Sequence, residues 1–292
     1  MIVLVNGQLK NREEAVISVF DHGFLYGMGL FETFRTYGGQ PWLLERHAAR
    51  LVRGCRMLGI AWEPDPERMR ADIGRLLEAN GLADGYIRWS VSAGEGEIGL
   101  TADPYLRPTE VIYAKALPPD GWPSSRPGKT LRLLRLPRST PESPVRMKSF
   151  QYINNMLGKR ELAESGAGPG TEGLFLDPQG HLCEGLVSNL FWLAGGTLHT
   201  PSTDTGALPG VTRDFIMDMA RTSGVAVREG RYVPDDLRRA EEIFLTNSIQ
   251  EIVPVTRVED EEGKPLWSGG TGPATRRWME EYRRMAEKGE AR

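Results

Sequence analysis

Apolar side chains recur at helical spacing between Leu44 and Leu58. Leu44, Ala48, Leu51, Cys55 and Leu58 share one face with His47, and Gly59 supplies the stop. Arg46, Arg50, Arg53 and Arg56 fall on other faces and are expected to be solvated. Met69 to Leu77 predicts a second helix, closed by Asn80-Gly81. The period then changes to two. Tyr86 to Ser92 alternates as a strand does, and Val111 to Leu117 predicts another. Upstream, Ile2–Val5 and Gln8–Lys10 flank Asn6-Gly7, a pair suited to the positive φ of a tight hairpin. Gly23, Gly27 and Gly29 lie among aromatic residues. They predict a loop with close backbone approaches, leading into a strand over Phe31–Tyr37.

Four prolines, two glycines and two serines crowd residues 118–128, which fits neither a helix nor a central strand. This segment divides the chain into an N-terminal domain, 1–117, and a C-terminal domain, 129–292. The arginines from Arg126 to Arg138 sit in a strand-like stretch without interleaved aromatics, so a solvated face is expected. Ser149 can cap a following helix on which Ile153, Met156, Leu157 and Ala163 share one side. Beyond it, Gly173–Leu176 and His181–Glu184 read as a hairpin around Asp177-Pro178-Gln179-Gly180. Leu186–Leu193 and Thr197–Thr200 read as another around Gly195-Gly196. Leu208-Pro209-Gly210 opens a helix that runs through Ala220 and ends at Gly224. Glu242–Thr246 predicts a buried strand, and Pro273–Ala286 the last helix.

Composition narrows the function classes. The chain has 292 residues, a formal charge of −3 and 40% hydrophobic residues, values of a globular enzyme-sized protein. That balance gives no net attraction to nucleic acid or an anionic membrane. The opening apolar run, Met1–Val5, is too short for a secretory core, and no run approaches a membrane span. A cytoplasmic location is expected. Cys55 and Cys183 are far apart, so reduced, buried thiols are expected and no metal site is called for.

Four elements of the second half suit amine chemistry on a phosphorylated aldehyde cofactor. Lys148 can attach an aldehyde covalently and then move protons. Glu184, among Leu182, Cys183, Leu186 and Val187, is a carboxylate that could keep a ring nitrogen protonated. A glutamate at a strand edge in water fits the same residues. Gly210-Val211-Thr212 begins a helix with free N–H groups and a hydroxyl, which suits a phosphate; it also fits an ordinary capped turn. Thr246-Asn247-Ser248 ends a strand with three hydrogen-bonding side chains.

Taken in order, these stretches resemble the fold-type IV (class IV) pyridoxal-phosphate enzymes. That family comprises branched-chain aminotransferases, D-amino-acid transaminases and 4-amino-4-deoxychorismate lyases. The resemblance rests on six markers. They are the segment from Asp21-His22-Gly23 to Phe31-Glu32-Thr33; His47-x-x-Arg50-Leu51; Lys148 with Tyr152 and Asn155; Glu184-Gly185-x-x-Ser188-Asn189; Leu208-Pro209-Gly210-Val211-Thr212-Arg213; and Thr246-Asn247-Ser248. The resemblance implies a mixed α/β (α+β) fold, with a small two-layer α/β N-terminal domain and a larger C-terminal domain on a barrel-like sheet. It implies pyridoxal 5'-phosphate as cofactor, held between the domains, and a homodimer whose partner chain completes the pocket.

By the same resemblance Lys148 is the Schiff-base lysine and Glu184 meets the pyridine nitrogen. Arg50, Val211, Thr212 and Thr246 hold the phosphate, and Tyr152 lies near the ring hydroxyl. Ser188, Asn189 and Asn247 complete the cofactor set. Phe31, Arg88 and Arg107 are the candidates for a small-molecule amine substrate. Residues 148–155, 183–189 and 200–206 are most similar to the lyases of the family, which form 4-aminobenzoate and pyruvate. The 88–100 stretch lacks the Arg-x-His pair of the D-amino-acid transaminases, and Phe31 stands where they carry tyrosine. An aminotransferase acting on a 2-oxo acid is the alternative. Met28 replaces an aspartate common among relatives, so no role is carried over to that loop.

Overall fold

The computed structural model describes residues 1–118 and 127–290. Residues 119–126 of the expected linker lie outside the described residues. The chain divides into two units. Met1–Pro119, Met147–Gln151 and Met285–Arg292 form one, and Asp120–Arg146 with Tyr152–Arg284 form the other. The stretch bearing Lys148 therefore belongs to the first unit, although 129–292 was expected as a single domain.

The first unit contains β1 (Ile2–Val5), β2 (Gln8–Asn11), α1 (His22–Tyr26), β3 (Gly29–Tyr37), β4 (Gln40–Pro41), α2 (Leu44–Met57), α3 (Pro66–Ala79), β5 (Tyr86–Ser92) and β6 (Thr109–Lys115). Its sheet has the order β2-β1-β6-β5-β3-β4. The hairpin at Asn6-Gly7 forms as expected, with both residues at positive φ. One sheet face, carrying Leu4, Leu30, Phe34, Ile87, Trp89 and Ile112, packs on the apolar stripes of α2 and α3. Leu44, Ala48, Leu51 and Cys55 come from α2, and Met69, Ile73, Leu76 and Leu77 from α3. Asp65 caps α3 by accepting from Glu67 N, which starts the helix earlier than its apolar periodicity alone indicates.

The glycine-rich loop contains a short helix, α1. Asp21 caps it, and Gly27 closes it at φ 69°. The expected close approaches are present: a Cβ on Gly29 would lie 2.3 Å from the Phe150 ring.

The second unit contains β7 (Lys129–Leu133), α4 (Ile153–Glu164), β8 (Thr171–Leu176), β9 (Leu182–Gly185), β10 (Asn189–Ala194), β11 (Thr197–Pro201), α5 (Val211–Thr222), β12 (Ala226–Gly230), β13 (Glu242–Asn247), β14 (Glu251–Glu259) and β15 (Pro265–Ser268). The last helix, α6, spans Pro273–Lys288. The strand order is β12-β11-β10-β13-β14-β7-β8-β9, with β15 paired to β14. The sheet curls. Leu182 N on the terminal strand β9 donates to Tyr232 O, just beyond the opposite terminal strand β12. The fold class is thus the expected one, a two-layer α/β unit and a larger unit on a barrel-like sheet. Both cysteines are free and buried.

Two expectations fail around α4. Ser149 does not cap it; Ser149 bridges to Leu30, and Tyr152 occupies the N-cap position. The side bearing Ile153, Met156 and Leu157 is exposed, at 73%, 59% and 46%. The helix buries Asn155, Gly158 and Leu162 instead. Gly158 allows the close approach, since a Cβ there would meet Phe175 at 2.7 Å and Leu186 at 2.9 Å.

Candidate active site

The candidate residues form two groups, one in each unit. In the first unit, the backbone around Lys148 runs antiparallel beside β3. Phe31 N donates to Lys148 O, and Phe150 N donates to Gly29 O, both at 2.9 Å. This pairing places Lys148 Nζ 4.8 Å from the centre of the Phe31 ring. Arg88 is next to Phe31 on the same sheet face, because Thr33 pairs with Arg88 and Phe31 with Ser90. Its guanidinium carbon lies 3.6 Å from the centre of the Phe31 ring. Two cations thus lie against one aromatic ring. Arg107 is exposed on the loop between β5 and β6 and is not part of this cluster.

The opposite face of β3 carries Glu32, buried against α2. His47 Nδ1 lies 2.7 Å from Glu32 Oε2. Arg50 donates twice to the same carboxylate, from Nε at 2.7 Å and Nη2 at 2.6 Å. Residues three apart share a helix face, so His47 and Arg50 reach Glu32 together. Arg50 is therefore held in an ion pair, not on the solvated face that the pattern of arginines on α2 had predicted. Burial alone would raise the Glu32 carboxyl, but the Arg50 charge and the hydrogen bonds from Arg50 and His47 outweigh it and hold it at about 2. Burial lowers His47 against the opposing pull of Glu32.

In the second unit, Glu184 on β9 is buried, 5% exposed. Its Oε1 accepts from Arg138 Nε at 2.8 Å, and its Oε2 from Leu208 N at 2.9 Å. Arg138, expected on a solvated face, is itself buried. Its Nη1 donates to Asn154 Oδ1 at 2.6 Å and Asn155 Oδ1 at 3.1 Å, and Asn155 Nδ2 donates to Leu186 O. The paired asparagines after Lys148 therefore anchor the arginine that anchors Glu184. Tyr152, half-buried, stands at the head of the same helix.

The start of α5 forms the other part of this group. Gly210 is the N-cap and no side chain caps the helix, so its first N–H groups point out of the helix unbonded within it. A Cβ on Gly210 would lie 2.0 Å from Asn189 Oδ1, and Asn189 Nδ2 donates to Leu208 O. Thr212 Oγ1 meets Ser248 Oγ at 3.0 Å, which joins α5 to the turn after β13. Thr246, at the end of β13, is buried. The side chains of Ser188 and Asn247 bond to protein groups. Ser188 donates to Glu172, and Asn247 Oδ1 accepts from Ile249 N and Gln250 N.

Comparison with known proteins names this arrangement. The pattern of the family described as amino-transferase class IV matches residues 29–258. The chain belongs to amino-transferase class IV. It is 41% identical to the aminodeoxychorismate lyase of Bacillus subtilis (strain 168) over 261 residues, covering 89% of this chain and 87% of that one. It is similar in structure to 4-amino-4-deoxychorismate lyase from Pseudomonas aeruginosa, with TM-score 0.81, 30% identity and coverage of 98% and 99%. The branched-chain aminotransferase of Thermoproteus uzoniensis, solved with norvaline, superposes with TM-score 0.85 at 26% identity, covering 100% of this chain and 96% of that one.

This class IV enzyme uses pyridoxal phosphate, and its second unit has the groups to hold that cofactor. Thr246 Oγ1 is buried without a hydrogen-bond partner among the described residues. An orphaned hydroxyl of this kind is costly unless a ligand satisfies it. With the uncapped N-terminus of α5 it suits a phosphate. Glu184 is a buried carboxylate, as a protonated ring nitrogen requires.

Sequence reasoning missed Glu32, Arg138 and Glu172. Glu32 had a usable signal, a lone charge inside the apolar run Leu30–Phe34 and opposite a helix with His47 and Arg50 on one face. Arg138 had none, because its partner lies 46 residues away.

The Glu32 cluster makes stability depend on pH. Both Glu32 and His47 are depressed in the fold, so each contributes fully above its ordinary value and loses its contribution as pH falls. Urea unfolding should weaken first below the His47 reference of 6.5 and more steeply between 4.5 and about 2 as Glu32 titrates. The Glu32 limb is worth about 3 kcal/mol. Glu32→Gln should cost roughly 3 kcal/mol at pH 7 and abolish the lower limb. An unchanged profile in that variant would refute the assignment.

Proposed function

We propose that the chain is a 4-amino-4-deoxychorismate lyase, forming 4-aminobenzoate and pyruvate. The observation that carries this reading is the likeness to the Bacillus subtilis lyase across most of both chains. The residues between Lys148 and Asn155 support it.

Bound pyridoxal phosphate supplies an aldehyde that takes up amines and a ring that accepts an electron pair. Lys148 Nζ would hold the cofactor covalently. The same amine would serve as the base toward the proton on the amine-bearing carbon of the substrate. Glu184 would accept the ring N–H, and Arg138 with Leu208 N fixes the carboxylate. The N–H groups of Val211 and Thr212, and the hydroxyls of Thr212 and Thr246, would bind the phosphate, and Arg50, oriented by Glu32, would add charge to it. Tyr152 would meet the ring hydroxyl. Phe31 forms a wall, and Arg88 takes a substrate carboxylate. Loss of the enolpyruvyl group as pyruvate makes the ring aromatic and drives the reaction forward.

A class IV aminotransferase is the second reading, favoured by the likeness to the Thermoproteus uzoniensis branched-chain enzyme. Incubation with aminodeoxychorismate and no amino acceptor separates the two. Catalytic 4-aminobenzoate formation is expected. Its absence, together with amino exchange between amino acids and 2-oxo acids, sinks the lyase reading.

The role of Lys148 has its own test. The purified holoenzyme should be yellow, and borohydride should bleach it and fix the cofactor to the chain. Lys148→Ala should lose both the label and at least about a thousandfold of the rate. Labelling at another lysine would reject the assignment.

The exposed apolar side of α4, Ile153, Met156 and Leu157, supports a homodimer, since monomers seldom leave such residues contiguous in water. Leu157→Arg should shift the protein from dimer to monomer in equilibrium sedimentation. A wild type that sediments as a monomer at micromolar concentration contradicts the dimer.

A further inference from the structure

Two turns of the second unit directly follow residues proposed above to contact the cofactor. Residues 185–188 follow Glu184, and residues 247–250 follow Thr246. Buried and half-buried side chains link them. Glu172 on β8 is 4% exposed. Its Oε1 accepts from Ser188 Oγ at 2.5 Å, and Val187 N is 3.4 Å from the same oxygen. Its Oε2 accepts from Lys129 Nζ at 2.6 Å. Lys129 also donates to Gln250 Oε1 at 2.9 Å, which takes a second bond from Asn247 Nδ2 at 3.2 Å. Asn247 Oδ1 in turn closes the second turn through Ile249 N and Gln250 N. A continuous chain of bonds therefore runs from Ser188 through Glu172, Lys129 and Gln250 to Asn247. The packing leaves no room at the head of the first turn: a Cβ on Gly185 would lie 2.3 Å from Ser188 Oγ and 2.6 Å from Glu172 Oε1.

An ion pair that takes a carboxylate out of water, with its lysine half-buried, is a poor source of net stability, because desolvation offsets the attraction. Its use lies in the geometry it imposes. We propose that the Lys129–Glu172 pair is a positioning device that fixes these two turns against each other, so that the contacts to the cofactor ring and to its phosphate form together. This rests on the assignment of Glu184 to the ring and of Thr246 and α5 to the phosphate. Glu172 and Lys129 act through Ser188 and Gln250 and touch neither cofactor nor substrate. Occupation of the phosphate site should then favour the ring contact, and the reverse, as coupling requires.

The test uses the full chain stripped of cofactor and titrated with pyridoxal phosphate, with inorganic phosphate as competitor. The absorption band of the bound cofactor and its pH dependence report the ring contact. Glu172→Gln keeps the side-chain shape. It should weaken pyridoxal phosphate roughly tenfold, weaken phosphate competition and shift the band. Lys129→Met should do the same. Gln250→Ala should affect chiefly the phosphate competition, and Ser188→Ala chiefly the band; these two milder variants keep the test open if the ion-pair variants fold poorly. Wild-type competition and band in folded Glu172→Gln and Lys129→Met, or in Gln250→Ala and Ser188→Ala, overturn the proposal alone. Failure of phosphate to compete in the wild type overturns the phosphate assignment, and the proposal falls with it.

Discussion

A carboxylate that leaves water inside a curled sheet must be given donors, or it destabilises the fold. Glu184 is in that position, and much of the second unit is arranged around it. Arg138 supplies the charge, and Leu208 N supplies a backbone donor just ahead of α5. Arg138 is held by Asn154 and Asn155 at the start of α4. The helix after the lysine stretch, the strand that carries Glu184 and the segment that opens α5 are thereby tied to one carboxyl group. Each of its two oxygens still has a lone pair available after these bonds, so the anchoring does not consume its capacity to accept from a ligand.

The first unit repeats the device on a smaller scale. Glu32 is buried on the helix-facing side of β3 and is neutralised by Arg50 and His47. Alternation along the strand then puts Phe31 on the other side, beside Lys148 and Arg88. Adjacent residues of one strand thus serve separate ends: Glu32 fixes an arginine, and Phe31 presents a wall. The Lys148 backbone is set by pairing with β3, so its position depends on main-chain hydrogen bonds that no side-chain substitution removes directly.

Elements with strong periodicity were legible. The α2 stripe, the Asn6-Gly7 hairpin, the β8–β9 hairpin and the opening of α5 follow from local pattern and turn chemistry. So did the identities of Lys148, Glu184 and Thr246 as candidates, through their order along the chain. Pattern failed where tertiary partners decide. The apolar side of α4 reads as a core stripe, yet the helix packs through Gly158 and Asn155, because a glycine lets its axis approach Phe175 and Leu186. Ser149 looks like a helix cap, but the strand beside it offered a bridge to Leu30. Arg138 looks solvated until Glu184 is brought beside it. None of these partners lies within a helical or strand period of the residue it captures, so no window along the sequence contains the cause.

The same machinery serves both reactions considered for this chain, which explains why machinery alone does not separate them. On the proposed assignment, each would begin with loss of a proton from the amine-bearing carbon, with Lys148 as the base and Glu184 beside the ring. They part at the next step. In a transferase, the proposed role of Lys148 would include giving a proton back after removing one. In the lyase, the electron pair expels the enolpyruvyl group, and the proton follows the departing product. The choice depends on the substrate, since only a ring one elimination away from aromaticity offers a leaving group of that kind. Specificity must therefore reside in the groups that admit that ring and hold its carboxylates. Phe31 offers a flat apolar surface and Arg88 a guanidinium against it. A tyrosine in place of Phe31 would add a hydroxyl to the wall that faces the lysine, and the arginine would then have a polar neighbour competing for the carboxylate. On the proposed reading, an aromatic wall without a hydroxyl would suit a planar ring.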